Sequence, residues 1–194
     1  MKENVLIVFL KNFDLGKVKT RIAKDCNNEE ALNIYRQLCS KTFSLFEYLN
    51  CDIKLYYSNY FPEGPSTFST YIQLGTDLGE KMSNAIQANL KEYKKVVLIG
   101  TDCPYLRSND IIEAFAQLQS KEVVIGPCSD GGYYLIGMNN HYPLLFININ
   151  WSTETVFDQT IKSVMESNLT YSILNKYSDI DTLEDWKQYL QVDV

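Results

Sequence analysis

The sequence predicts an α/β fold with three layers, in which helices cover both faces of a mostly parallel mixed sheet. Two observations carry this prediction. Short apolar runs recur along the chain, as is typical of strands buried on both faces of a parallel sheet. Amphipathic segments with helical periodicity lie between these runs. The 194 residues, of which 45% are hydrophobic, can form one sizeable core, so we expect one domain over residues 1–194.

The first half of the chain begins with its clearest strand, a continuous apolar run at residues 5–10. A basic loop follows, and apolar side chains then recur at helical spacing until residue 50. The prolines and the glycine at residues 61–66 predict a loop there. In chain order, the elements predicted here are strand 5–10, helix 29–50, strand 52–58, helix 77–93 and strand 95–100.

The second half continues the alternation of strands and helices. Ser108, Ser152 and Thr182 are hydroxyl residues suited to cap the three helices predicted here. Adjacent glycines predict a tight turn before residue 133. In chain order, the elements predicted here are helix 108–120, strands 122–126, 133–138 and 144–149, helix 152–167, strand 170–174 and a final helix after residue 182.

Composition excludes several classes of protein. The chain has 18 Lys and Arg against 24 Asp and Glu, a net charge of −6, which argues against a nucleic-acid partner. No apolar run is long enough to span a membrane. The five cysteines form no C-x-x-C pair, so we interpret them as reduced thiols and expect a cytoplasmic protein. The single histidine, His141, is assigned no role.

The loop that follows the first strand is strongly basic. Residues 11–24 hold five cations and one acid in an otherwise acidic protein. Gly16 would allow close approach of the backbone to a ligand, while Lys19 and Arg21 would supply a point charge and a bidentate fork. This pattern favours a polyphosphate site, although a solvated surface loop is an equal alternative. The loop is not a Walker motif, since the required glycine spacing is absent.

An acidic residue, Asp102, follows the third predicted strand and is held in a turn by Pro104. Because ligands of such folds bind at the carboxyl ends of the strands, Asp102 is well placed to bind Mg²⁺. The alternative is a carboxylate that only caps the turn. Cys103 between them is more consistent with packing than with a nucleophile.

Two further acidic segments are weaker candidates for metal ligands. Asp130 precedes Gly131 and Gly132, a pattern that a tight hairpin explains by itself. Its place after a neighbouring strand makes Asp130 a candidate second metal ligand. For Asp181, a metal role and a place in a helix-capping segment with Thr182 remain equal alternatives.

Six segments together resemble the glycosyltransferase-A-like transferases, which are often associated with radical SAM and selenoprotein domains. The segments are GKVKTRIA, QLGTDLGEKM, IGTDCPYL, IGPCSDGGYYLIGM, INWSTETVF and DIDTLEDW. This family is similar in fold to the molybdenum-cofactor and phospholactate guanylyltransferases. The resemblance implies a Rossmann-like nucleotide-diphospho-sugar transferase fold, GT-A, that uses Mg²⁺ or Mn²⁺.

The resemblance also implies site residues. The resemblance puts Asp102 on the metal position and Asp130 on the acceptor side, while Asp130 and Asp181 stay metal candidates on the pattern of the residues alone. The implied nucleotide-binding residues are Leu10, Lys11, Gly16, Lys19, Thr20, Arg21, Gln73, Gly75, Leu78 and Gly79. The implied acceptor-binding residues are Gly131, Gly132, Tyr133, Trp151, Ser152, Thr153 and Glu154.

The function that these residues favour is nucleotidyl transfer from a nucleoside triphosphate to a small acceptor. Lys19 and Arg21 would neutralise the departing pyrophosphate, and Asp102 would hold the metal on the α-phosphate. In one alternative the donor is a sugar nucleotide, a glycosyl group is transferred, and Asp130 acts as base. In another the chain is a non-catalytic relic that binds a nucleotide or a protein. The 14 tyrosines are typical of core and interface, which leaves a homo-oligomer open.

Overall fold

Seven strands form one sheet in the order β3-β2-β1-β4-β6-β5-β7. The structure is a computed structural model and describes residues 1–64 and 66–192. Pro65 of the predicted loop and residues 193–194 of the predicted domain lie outside the described residues. The strands are β1 (Lys2–Leu10), β2 (Asp52–Tyr57), β3 (Ser69–Ile72), β4 (Tyr93–Ile99), β5 (Val123–Pro127), β6 (Tyr133–Met138) and β7 (Tyr171–Ile173).

Helices connect most of the strands, as the alternating sequence pattern predicts. They are α1 (Thr20–Asp25), α2 (Asn28–Ser44), α3 (Leu78–Leu90), α4 (Ser108–Gln117), α5 (Val156–Glu166) and α6 (Leu183–Val192). Two short 3₁₀ helices lie at Phe46–Tyr48 and Pro143–Phe146.

The sheet is parallel except at β6, which pairs antiparallel with both β4 and β5. The predicted mostly parallel mixed sheet is therefore confirmed. Strands β1, β2, β3 and β4 end at one edge, and the antiparallel β6 begins at that same edge. The loops that carry the predicted chemistry consequently meet there.

Alternate residues of β1 pack into two different cores. Leu6 and Val8 belong to a cluster that includes Phe115 of α4, whereas Val5 and Ile7 belong to a cluster that includes Ile86 of α3. All four strand residues are fully buried. Each face of the sheet is thus covered by helices, which explains why β1 reads as a continuous apolar run and gives the three predicted layers.

Five details differ from the sequence-based expectation. Ser108 does not cap α4 but is its first residue, and Arg107 occupies the cap position. The sequence predicts a loop where α1 lies. Only Ile22 of the six helix residues is buried, so the sequence shows no helical periodicity of apolar residues there. Strand β3 was missed, because it is four residues long with no fully buried side chain. Residues 144–149 form no strand: a 3₁₀ helix begins at Pro143, which has no N–H for a sheet. Ser152 does not cap α5, which begins at Val156.

The predicted cap of α6 is confirmed. The Asp185 N–H donates to Thr182 Oγ1 over 3.2 Å, and the Thr182 N–H donates to Asp185 Oδ2 over 2.7 Å. Two of the N–H groups at this helix start are thereby satisfied reciprocally. Among residues 1–64 and 66–192, no helix combines the length and the apolar character that crossing a membrane requires.

Candidate active site at the carboxyl edge of the sheet

A cavity of about 460 Å³ opens at the edge where the parallel strands end. Its walls come from the segments after β1 and β4, from the start of β6 and from the segment before α6. The lining residues are Phe9, Leu10, Lys11, Lys19, Thr20, Arg21, Tyr35, Gln73, Leu78, Gly100, Thr101, Asp102, Cys103, Tyr133, Tyr134, Ser152, Asp179 and Asp181. The cavity therefore brings together two predicted segments: the basic loop with Lys19 and Arg21, and the segment after β4 with Asp102.

The basic loop turns sharply twice before α1 begins. Gly16 has a φ of 73°, a left-handed conformation that favours glycine. A Cβ at Gly16 would meet its nearest neighbour, Asn28 Nδ2, at an ordinary 3.4 Å, so the backbone angle rather than crowding requires the glycine. Lys19 also has a positive φ, 45°, and precedes the first residue of α1. This uncommon conformation directs the chain so that Lys19 and Arg21 both line the cavity.

Lys19 and Asp102 form an ion pair inside the cavity. Lys19 Nζ lies 2.7 Å from Asp102 Oδ1 and donates to the Ile180 carbonyl oxygen over 2.6 Å. The Lys19 side chain is only 7% exposed, whereas the Asp102 side chain is 48% exposed. The ammonium is therefore held by the protein, while the carboxylate remains open to a ligand.

Arg21 lies nearer the cavity mouth than Lys19, as its side-chain exposure of 70% indicates. Its Nη1 is 3.1 Å from Asp181 Oδ2. The segment that carries Asp181 is tied to the loop after β4, since the Ile180 N–H donates to the Asp102 carbonyl oxygen over 2.9 Å. Two ion pairs, Lys19–Asp102 and Arg21–Asp181, thus connect the basic loop with the two segments that carry these carboxylates.

Some of the residues expected near the nucleotide base line the cavity, and the others pack closely against residues beside it. Gln73 and Leu78 line the cavity, and the Gln73 side-chain amide donates to the Tyr56 and Leu10 carbonyl oxygens. Gly79 supports the wall, because a Cβ there would lie 2.5 Å from the ring of Trp151. At Gly75 a Cβ would lie 2.7 Å from the Lys81 nitrogen.

The residues expected on the acceptor side are divided in the same way. Tyr133 and Ser152 line the cavity, and Ser152 has a φ of 64°. Gly131 has a φ of 88° and packs so closely that a Cβ would lie 1.9 Å from the Glu154 carbonyl oxygen. The Trp151 ring meets Tyr133 edge to face, 6.4 Å between centroids. These contacts clamp the two loops together. The cavity lining does not include six residues predicted on this side, namely Asp130, Gly131, Gly132, Trp151, Thr153 and Glu154.

Comparison with known proteins identifies the family. A family model described as "Uncharacterized protein conserved in bacteria (DUF2064)" matches residues 48–153. The match covers more than half of the chain and includes Asp102, the predicted metal ligand. The chain belongs to the DUF2064 family. No curated protein matches the chain.

Solved structures show the same fold as this DUF2064 chain. A provisionally assigned nucleotide-diphospho-sugar transferase from Desulfovibrio desulfuricans G20 is 31% identical, with a TM-score of 0.88 over 94% of this chain and 84% of that one. A CMP:2-keto-3-deoxy-manno-octonic acid synthetase complexed with CTP is 7% identical, with a TM-score of 0.61 over 100% of both chains. A Mycobacterium tuberculosis H37Rv protein complexed with manganese is 11% identical, with a TM-score of 0.60 over 98% and 99%. The predicted nucleotide-diphospho-sugar transferase fold is confirmed.

Sequence reasoning missed Asp179, which lines the cavity of this DUF2064 chain. Cys128 Sγ donates to Asp179 Oδ1 over 2.9 Å, and one ligand atom each of Cys128, Asp130 and Asp179 lie within 4.8 Å of one another. Burial, reinforced by the charges of Asp102 and Asp130, raises the pKa of Asp179 to about 6. The signal available in the sequence was the Asp179-Ile180-Asp181 run, but only the fold shows that Asp179 faces the cavity.

Sequence reasoning also did not single out Tyr35, a buried residue of α2. Its hydroxyl accepts from the Lys11 N–H over 2.7 Å and from Thr101 Oγ1 over 3.4 Å. Tyr35 therefore joins the segments that follow β1 and β4 and is itself part of the cavity lining. Burial raises the pKa of this phenol well above its usual range, so it acts as a neutral hydrogen-bonding group.

Proposed function

We propose that this chain is a nucleotide-dependent transferase that moves a nucleotidyl group from a nucleoside triphosphate to a small acceptor. The observation that carries the proposal is that Lys19, Arg21 and Asp102 line one cavity. Two cations beside an accessible carboxylate suit a substrate with several phosphates. The CTP complex of a structural neighbour and the description of the 31% identical relative agree with a nucleotide donor. Residues 1–194 form one domain in this proposal.

The oxygen donors in the cavity fit a hard divalent cation. Magnesium needs only one or two protein carboxylates, because it keeps several waters. Asp102 and Asp181 line the cavity with side chains 48% and 42% exposed, and we assign them to the cation, with Asp130 as a third candidate. The thiol of Cys128 makes its group with Asp130 and Asp179 less suited to magnesium. Manganese in a structural neighbour agrees with Mg²⁺ or Mn²⁺ here.

When bound, the cation would neutralise charge on the phosphate oxygens and orient the donor. Lys19 and Arg21 would stabilise the negative charge that grows on the departing pyrophosphate. Lys19 acts from a fixed position with a buried side chain, while the exposed fork of Arg21 closes onto the phosphates from the mouth. With the roles divided in this way between Lys19 and Arg21, the reaction requires no covalent nucleophile. Cys103 is poorly suited to be one, because burial raises the pKa of its thiol to about 12 and disfavours the reactive thiolate.

The acceptor would enter from the side of Tyr133 and Ser152, which line the cavity opposite the basic loop. Their neighbours Gly131, Gly132, Trp151, Thr153 and Glu154 would shape this side. The description of the 31% identical relative favours one second candidate, a sugar nucleotide donor with Asp130 as base. The cytoplasmic location, the homo-oligomer and the association with radical SAM domains stay predictions.

A panel of nucleotides with Mg²⁺ or Mn²⁺, scored by thermal melting, tests this proposal. A ligand at 100 times its dissociation constant should stabilise the protein by about 2.7 kcal/mol. Stabilisation by triphosphates supports nucleotidyl transfer, and stabilisation only by sugar nucleotides supports the second candidate. If no nucleotide raises the melting temperature, the transferase proposal is wrong and the relic alternative gains. Asp102→Asn should abolish the metal-dependent part of the shift.

Arg21→Ala tests the assignment of the phosphate site. Because one preorganised electrostatic contact is lost, we expect turnover to fall roughly a hundredfold. The free protein should keep its melting temperature, since the Arg21 side chain is largely exposed. Lys24→Ala in the last turn of α1 is the matched control and should keep normal turnover.

A further inference from the structure

Lys19 already has two oxygen partners before any substrate is considered. Its ammonium lies 2.7 Å from Asp102 Oδ1 and 2.6 Å from the Ile180 carbonyl oxygen. With its side chain 7% exposed, Lys19 has little access to water, in contrast to Arg21 at 70%. A cation so enclosed neutralises Asp102 from inside the protein.

This arrangement conflicts with independent binding of a divalent cation at Asp102. Magnesium and manganese bind carboxylate oxygens at about 2.1 Å, and one Asp102 oxygen is occupied by the ammonium. A metal ion entering beside Lys19 would also be repelled by the ammonium, which solvent screens little in this partly buried site. The free protein is therefore a poor metal site despite its four nearby carboxylates, Asp102, Asp130, Asp179 and Asp181.

A polyphosphate would remove the conflict. Phosphate oxygens can accept from Lys19 in place of Asp102, and they can share a cation with the carboxylate so released. We infer that Lys19 is the resident counter-ion of Asp102, and that exchange of this partner makes the divalent cation and the triphosphate bind cooperatively. The inference rests on the proposed function for the identity of the ligands. It adds a positioning role for Lys19 in the metal site, beyond contact with phosphate.

Titration with Mn²⁺ alone, followed by electron paramagnetic resonance of the free ion, tests the inference without turnover. We expect Lys19→Gln to bind Mn²⁺ about tenfold more tightly than the unmodified protein, a typical coupling between sites. Lys17→Gln removes an exposed cation from the same loop and should change the affinity little. Lys19→Arg keeps the charge and should restore weak binding.

A reciprocal measurement covers the case in which Lys19→Gln does not fold. Inorganic tripolyphosphate is titrated by calorimetry in the presence of a chelator, so that no metal contributes. Asp102→Asn removes the carboxylate that competes with phosphate for Lys19 and should tighten tripolyphosphate binding about tenfold. Asp130→Asn removes an exposed carboxylate nearby and should have a smaller effect.

Equal Mn²⁺ affinity in Lys19→Gln and the unmodified protein would overturn the inference and leave the proposed metal site intact. An equal gain in Lys17→Gln would overturn it as well, since the effect would then be general electrostatics. If Lys19→Gln folds but binds no Mn²⁺, the inference fails, while the metal dependence of nucleotide binding is still tested separately by the melting panel. Absence of any nucleotide-induced stabilisation would instead overturn the proposed function itself.

Discussion

The two edges of the sheet both carry a cavity and a lysine-aspartate pair, but they differ in how the charges are enclosed. At the amino edge, a cavity of about 650 Å³ is lined by Lys2, Asp52, Lys54 and Tyr93. Lys2 is 66% exposed, and its partner Asp52 also accepts from the Tyr93 hydroxyl over 2.6 Å. At the carboxyl edge the cavity is smaller, yet its lysine is 7% exposed and its carboxylate is open.

This difference shows why cavity size does not identify the functional site. Lys54 at the amino edge is also enclosed, but it lies over the rings of Tyr71 and Tyr93, at 5.1 and 4.9 Å from their centroids. Such aromatic faces satisfy the cation within the protein. Lys54 also lies 3.5 Å from Glu92 Oε2, whose side chain is 63% exposed, but Glu92 does not line the cavity. At the carboxyl edge, by contrast, the buried Lys19 and the half-exposed Asp102 both line the cavity, and ligands can compete for both.

Removal of the lysine at each edge gives the largest expected contrast. Lys19→Gln should lower turnover by about 10²-fold to 10³-fold, because a preorganised cation is lost from the site. Lys2→Gln at the amino edge should leave turnover unchanged. Pyrophosphate release under single-turnover conditions measures both variants. Similar losses in the two variants would contradict the assignment of the site to the carboxyl edge.

The rigidity of the carboxyl edge can be tested at Gly131. Gly131→Ala would place a Cβ against the Glu154 carbonyl oxygen at a φ of 88°, so we expect a loss of about 3 kcal/mol in the free energy of unfolding. Gly100→Ala is the matched control at the same edge, because a Cβ there meets no atom within 4 Å. Urea unfolding compares the two. Equal stabilities would show that the loops at residues 131 and 154 are not clamped together.

Asp179 should make the carboxyl edge sensitive to pH. Its pKa of about 6 lies above the usual 3.8, so the folded state binds its proton more tightly than the unfolded state. Stability from this group is therefore complete below pH 4 and is lost as the pH rises through 6. Asp179→Asn should be about 2 kcal/mol more stable than the unmodified protein at pH 8 and nearly equal at pH 4. Urea unfolding at both pH values measures the difference, and a constant difference would contradict it.

The amino edge should give the smallest effect on stability. Lys2 and Asp52 are both largely exposed, so solvent screens their pairing. Lys2→Gln should leave the urea midpoint unchanged within error at pH 7. A clear loss of stability would show that the Lys2, Asp52 and Tyr93 contacts support the sheet more than their exposure suggests.

Much of the fold was predictable because its signals are local. The apolar run of β1 and the hydroxyl of Thr182 at α6 depend on neighbours within a few residues, and both predictions are confirmed. Helix α1 and strand β3 were not predictable, because each is short and depends on tertiary packing. The same holds for Tyr35, whose hydroxyl bonds to the backbone of a residue 24 positions away.

By itself, the sequence determined that scarce positive charge follows the first strand and that an acidic turn follows a later strand, which the structure places beside the first. Parallel strands that end at one edge then bring these segments together, and this geometry follows from local pattern alone. Only the tertiary structure decided the partners. Lys19 bonds to the carbonyl of Ile180, 161 positions away, and the partly buried Asp179 accepts from Cys128. Such contacts depend on how distant loops close over the sheet, and local periodicity carries no information about that closure.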